Sequence, residues 1–183
     1  MLTKYANSAI IKRNITFHTR SKDMLKRILK ILEEDSHATP GQIATMLGLS
    51  EEEVAEAIRK AEADGKILKY KTLINWDKVN DEHVWALIEV QVSPQRDTGY
   101  DAIAEKIYRF PQARSVYLMS GAYDLAVLVM GKSMHEIADF VGQKLSPIEG
   151  VRAAATHFIM KRYKEDGVIM DGPEEVKRQP VIL

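Results

Sequence analysis

Thr39-Pro40-Gly41-Gln42-Ile43-Ala44-Thr45-Met46-Leu47-Gly48-Leu49-Ser50-Glu51-Glu52-Glu53 carries two helix starts around one helix stop. Thr39 followed three residues later by Gln42 is a capping box, with Pro40 at the first helical position. Ile43, Ala44 and Leu47 then share one helical face, and Gly48 ends the run. Ser50 with Glu53 is a second capping box, opening a helix whose Val54, Ala57, Ile58 and Ala61 form a stripe closed by Gly65. Leu49 is placed to staple that helix against Val54. A short helix, a Gly-Leu-Ser turn and a longer helix make a helix-turn-helix. The alternation Ile67-Leu68-Lys69-Tyr70-Lys71-Thr72-Leu73 that follows reads as a strand, the wing of such a unit.

Working outward, residues 22–34 predict an amphipathic helix with Leu25, Ile28, Leu29 and Leu32 on one face. The three helices must share a small core of Leu25, Ile28, Leu32, Ile43, Leu47, Val54 and Ile58, since none can bury its stripe alone. A unit of this kind implies binding to double-stranded DNA through the start of its third helix. Ser50, Glu52, Glu53, Glu56, Arg59 and Lys60, with Lys69 and Lys71 of the wing, are the residues expected at that interface. Several glutamates together repel phosphates, although each can accept a hydrogen bond from cytosine. They equally suit the positive end of a helix on a solvated face.

The second half alternates element types. His83 to Val92 is strand-like, with Val84, Ala86, Ile88, Val90 and Val92 on one face, and Ser93-Pro94 ends it. Residues 100–110 predict a helix, 113–119 and 125–130 two strands, and Ser120-Gly121-Ala122-Tyr123-Asp124 the turn between them. Ser133 with Glu136 caps a further helix, and residues 151–163 supply the last strand. The order β-α-β-β-α-β is the ferredoxin-like arrangement, with both helices on one face of an antiparallel sheet. The fold class is therefore α+β, a winged helix-turn-helix followed by a ferredoxin-like domain. The sheet's other face, with Trp85, Leu87, Tyr117 and Phe158 or their neighbours, is too apolar for solvent, which predicts a homodimer packed sheet to sheet. Boundaries are expected at 1–20 for a basic arm, 21–75 for the helical domain, 76–82 for a linker, 83–165 for the sheet domain and 166–183 for a tail.

The 183 residues balance 26 basic against 26 acidic side chains, so no global basic field marks a nucleic-acid binder. Residues 1–20 hold four basic groups and no acid, residues 21–75 nine against ten, and the remainder thirteen against sixteen. The arm is an upstream extension without a role before it is a DNA-contacting arm or a partner-binding strand. Cysteine is absent, which excludes disulfides and thiolate metal sites and fits a cytoplasmic protein. No apolar run is long enough to span a bilayer. His18, His37, His83, His135 and His157 lack ligand spacing, so no metal is expected. No phosphate-cradling glycine loop, serine elbow or paired-carboxylate pattern occurs, and neither an enzyme nor a bound cofactor is expected.

The Ile43-Ala44-x-x-Leu47-Gly48-Leu49-Ser50 core, Gly65-x-Ile67 leading to Tyr70, Gly121-x-Tyr123-Asp124 and Thr156 together resemble the leucine-responsive / asparagine-regulator (Lrp/AsnC) family of transcription factors. The resemblance spans residues 22–164. It implies a DNA-binding domain followed by an effector domain similar to the amino-acid-binding ACT module. It also implies dimers that often assemble into octamers, and control by a small metabolite, usually an amino acid. The family's effector turn maps onto Ser120, Gly121, Tyr123 and Asp124, with Thr156 as a further contributor. An ammonium needs a carboxylate and a ligand carboxylate needs turn amides, so Asp124 is one reading; Asp124 as the cap of a strand-to-strand turn is the other. Two alternatives differ in kind. One is a metabolite-sensing oligomer that acts through protein partners without DNA, favoured by the acidic third helix. The other is a sirohaem-decarboxylase-like tetrapyrrole enzyme, disfavoured because residues 93–97 lack an arginine-histidine cluster.

Overall fold

A computed structural model describes residues 23–79, 83–93 and 99–170. The basic arm, residues 94–98 and the tail beyond 170 lie outside the described residues. The described chain forms two compact units, one up to Leu73 and one from Ile74 onward.

The first unit is three helices: α1 (23–34), α2 (Pro40–Leu47) and α3 (Glu51–Ala63). Both expected capping boxes form. The Thr39 hydroxyl accepts from Gln42 N–H while the Gln42 side chain accepts from Thr39 N–H, and Ser50 and Glu53 repeat the exchange. Four of the helix-end donors thus find partners without help from solvent. Gly48 closes α2 in the left-handed conformation. Ile28, Leu32, Ala38, Ile43, Ala44 and Val54 form the buried cluster, with Leu47, Leu49 and Ile58 partly buried against it. Leu25, expected in that core, is only half-buried, because α1 turns Met24, Ile28 and Ile31 inward.

The wing is where the sequence pattern misleads. Residues 68–75 form no strand, because among the described residues no neighbouring segment offers a ladder to their backbone groups. Ile67 alone packs on the helical cluster, and Leu68 is 90% exposed.

The second unit opens with a 3-10 turn, Trp76–Val79, inside the stretch read as linker. It then runs β1 (Val84–Val92), α4 (Asp101–Tyr108), β2 (Ala113–Leu118), β3 (Leu125–Gly131), α5 (Met134–Phe140) and β4 (Val151–Ile159). The sheet order is β2-β3-β1-β4, and each pair is antiparallel. Ala86, Ile88 and Val90 of β1 lie opposite Val129, Val127 and Leu125 of β3, all buried on the helix side with Ile103, Ile107, Ile137, Phe140 and Leu145. Phe110 meets Phe140 edge to face at 5.5 Å. After α5 the chain makes one π-helical turn, Val141–Leu145, which carries Leu145 into the core.

On the sheet one open assignment is decided and another changes. Phe158 pairs with Ala86 and so lies on the helix side, leaving His157 and Ile159 on the outer face. The last strand stops at Ile159, and a two-stranded hairpin, β5 (Lys164–Glu165) and β6 (Val168–Ile169), takes residues 166–169 out of the expected tail. Asp166 and Gly167, both with positive φ, make its two-residue turn. The hairpin is anchored: the Arg162 guanidinium lies 5.2 Å from the Trp85 ring centroid and 2.7 Å from Glu165, and Asn75 donates to the Met170 carbonyl. No helix among the described residues is long and apolar enough to cross a membrane.

Phe140 is 2% exposed at the centre of the helix-side core. Phe140→Ala should cost about 3–5 kcal/mol, read as a lower urea midpoint with unchanged slope.

Candidate nucleic-acid interface and ligand cavity

The exposed side of α3 carries Glu52, Glu53, Glu56, Arg59 and Lys60, as expected of a helix that can lie in a groove. Its acids are not equivalent. Glu53 is committed to the cap, and its carboxyl is held below the usual glutamate range first by the Ser50 N–H and then by the Ser50 hydroxyl. Glu51 leans over the start of α2, where its Oε2 comes within 3.3 Å of the point a Cβ on Gly41 would occupy. Further along, Glu62 accepts from the Tyr70 hydroxyl at 2.9 Å. Desolvation first and this hydrogen bond second raise the Tyr70 pKa. Glu52 and Glu56 are left on the exposed side with Arg59 and Lys60, and Ser50, Glu51, Glu52, Ala55 and Arg59 border an open depression there. Ser50 spends its hydroxyl on the cap. Lys69 and Lys71 are exposed on an irregular segment rather than on a strand.

In the second unit the turn between β2 and β3 stands at the end of β1. Asp124 is the joint of this arrangement. Its N–H donates to the Val90 carbonyl, its Oδ2 accepts the Val92 N–H at 2.8 Å, and its Oδ1 accepts from the Tyr100 hydroxyl at 3.4 Å. β1 outruns β3 here, so the carboxylate replaces the carbonyl that Val92 would otherwise lack. The geometry therefore gives Asp124 the capping role, with both oxygens engaged by the chain itself. Gly121 has φ +150, a backbone conformation that a side chain would strain.

Beside this turn, on the outer face of the sheet, lies a cavity of about 170 Å³. Ala153 to Ala155 of β4 floor it, Glu89 and Gln91 of β1 wall one side, and Ala122 and Tyr123 of the turn wall the other. Gln91 donates through Nε2 to the Ala122 carbonyl at 3.2 Å, tying the turn to the sheet. Of the expected effector residues, Tyr123 reaches this cavity. Ser120, Gly121 and Asp124 lie in the turn above it without lining it. Thr156 sits opposite Ile88, on the helix side, and is not brought to it. Glu89 and Gln91 were missed by sequence reasoning; their outward register on β1 was the available signal.

These features define a two-part regulator, one unit built to meet duplex DNA and one to hold a small ligand. A winged helix-turn-helix DNA-binding model matches residues 22–67, and an Lrp/AsnC ligand-binding-domain model matches residues 85–169. The chain is 46% identical over 152 residues to the HTH-type transcriptional regulator YugG of Bacillus subtilis, covering 82% of this chain and 92% of that protein. The chain belongs to the Lrp/AsnC family of DNA-binding transcriptional regulators and is not an enzyme. Among solved structures, Escherichia coli AsnC shares the fold at TM-score 0.62 and 17% identity, covering 81% of this chain and 97% of that one. The regulator NMB0573 from Neisseria meningitidis, solved as a complex with L-Met, does so at TM-score 0.63 and 22% identity, covering 78% and 91%.

Asp124→Ala strips an ionic acceptor from Val92 N–H. It should destabilise the protein by roughly 1.5–3 kcal/mol, measured by urea unfolding.

Proposed function

We propose that the protein is a cytoplasmic homodimeric regulator whose operator binding responds to an amino acid held in the cavity beside the Ser120–Asp124 turn. The observation that carries this reading is the cavity itself: a small, alanine-floored recess with one carboxylate, one carboxamide and a tyrosine, beneath a turn tied down by Gln91 and Asp124. The L-Met complex of the structurally similar Neisseria regulator supports an amino acid as the ligand class. Ser120 and Gly121 lie in the turn above the cavity, and their backbone amides are the donors proposed for a ligand carboxylate.

DNA recognition rests on the exposed side of α3. Arg59 and Lys60 supply its cations, while Glu52 and Glu56 restrict which bases and phosphates can approach. With so few phosphates neutralised, binding is weak at physiological salt and falls only gently as salt rises. A gel shift with the protein's own promoter region at low salt should show a complex, and Arg59→Ala should weaken it. Folded protein that shifts no DNA at low salt would sink the DNA-binding half of this proposal in favour of action through protein partners.

The dimer forms through the outer sheet face. Leu87 and Leu128 are neighbours there, Trp85 pairs with Met130 and Ile159, and the hairpin covers this surface in part through Arg162. A second copy is the partner that completes its burial, with octamers as a further level of assembly. Light scattering at micromolar concentration should give a dimer or larger, and Leu128→Arg should shift it toward monomer; a monomeric wild type would remove the sheet-to-sheet interface.

A further inference from the structure

We infer that Glu89 is the residue that selects the ligand, by pairing with a ligand ammonium, and that the cavity therefore rejects ligands carrying a second carboxylate. This inference rests on the cavity being the effector site. The hydrogen-bond accounting of the two nearby acids leads to it. Asp124 gives one oxygen to the Val92 N–H and the other to the Tyr100 hydroxyl, and it does not line the cavity. Glu89 lines the cavity with its side chain 34% exposed, and its charged neighbour across the strands is His157, 3.5 Å away and a cation only when protonated. Among the described residues, no lysine or arginine lines the cavity.

A partly desolvated carboxylate without a permanent counter-ion, over a floor of methyl groups, favours a cationic group that brings its own hydrogen-bond donors. Register sets the geometry. Ala155 is the partner of Glu89 and Ala153 that of Gln91, so the carboxylate and the carboxamide each stand beside a methyl instead of a bulky side chain. The space they leave is open toward the turn that Gln91 holds in place. An α-amino acid with an uncharged side chain fits this pattern, its ammonium at Glu89 and its carboxylate toward the turn. Aspartate or glutamate would set a second negative charge against Glu89 with no cation to balance it.

The test uses the full chain. Thermal shift with each of the standard L-amino acids, followed by calorimetry, should find binders among those with uncharged side chains and none among the acidic ones. The N-acetyl derivative of a binder, which lacks the cation, should fail to bind. Glu89→Gln keeps the shape and should weaken binding roughly ten- to a hundredfold, with the melting temperature of the unliganded protein unchanged. Unchanged affinity in Glu89→Gln, or a binder that survives N-acetylation, overturns the inference. Ala155→Leu separates that failure from failure of the site. If filling the floor abolishes binding while Glu89→Gln does not, the cavity stands as the effector site and only the role of Glu89 falls. If neither substitution changes the affinity of a bound amino acid, or if no amino acid binds the wild type, the site and the inference fall together.

Discussion

The two-residue period of β1 divides the second unit into a core and a site. β3 and β4 both pair along this strand, so its side chains set the character of both sheet faces. Ala86, Ile88, Val90 and Val92 point to the helices and are buried; Trp85, Leu87, Glu89 and Gln91 point the other way. A slip of one residue would send Glu89 and Gln91 into a core that holds no buried polar side chain among the described residues. Burying an unpaired carboxylate there would cost more than the packing returns. The Asp124 carboxylate on Val92 and the irregularity between Gln91 and Val92 fix the end of the strand, and with it the place of the cavity.

The helical unit solves a different problem with similar means. A helix that opens with three glutamates is unpromising for a polyanion if all three charges face it. The capping box takes Glu53, and Glu51 lies over the start of α2, where helix-end amides favour an anion. What remains exposed is a mixed surface of Glu52, Glu56, Arg59 and Lys60, the one proposed to meet the groove. Such a surface can make few phosphate contacts, and the proposed dimer would then rely on base readout and a second copy of the helix.

Much of the fold was legible because its signals are local. Both capping boxes, the stop at Gly48 and the alternation of β1 are properties of a few adjacent residues, and each appears where the sequence puts it. The failures come where a residue's role depends on something distant. Residues 67–73 alternate like a strand, but a strand also needs a neighbour. Phe158 lies on one face or the other according to the register of β4, which the sequence does not state. The hairpin at 164–169 depends on Arg162 reaching Trp85, 77 positions earlier. The turn at Asp166-Gly167 was readable, whereas its anchoring was not.

The conspicuous acids of the sequence and the acids left exposed in the structure differ, for a reason that applies to both units. A sequence shows which residues can carry charge, but not which of them are already spent on the chain's own backbone. Glu53 and Asp124 stand at conspicuous places, a helix start and a glycine turn, and those places are where orphaned N–H groups need acceptors. Their prominence reflects that structural demand. Glu52, Glu56 and Glu89 sit within regular elements, where the backbone satisfies itself and leaves the side chain to what lies outside. In the reading proposed above, recognition by a protein of balanced charge draws on this second set, the acids the fold does not consume.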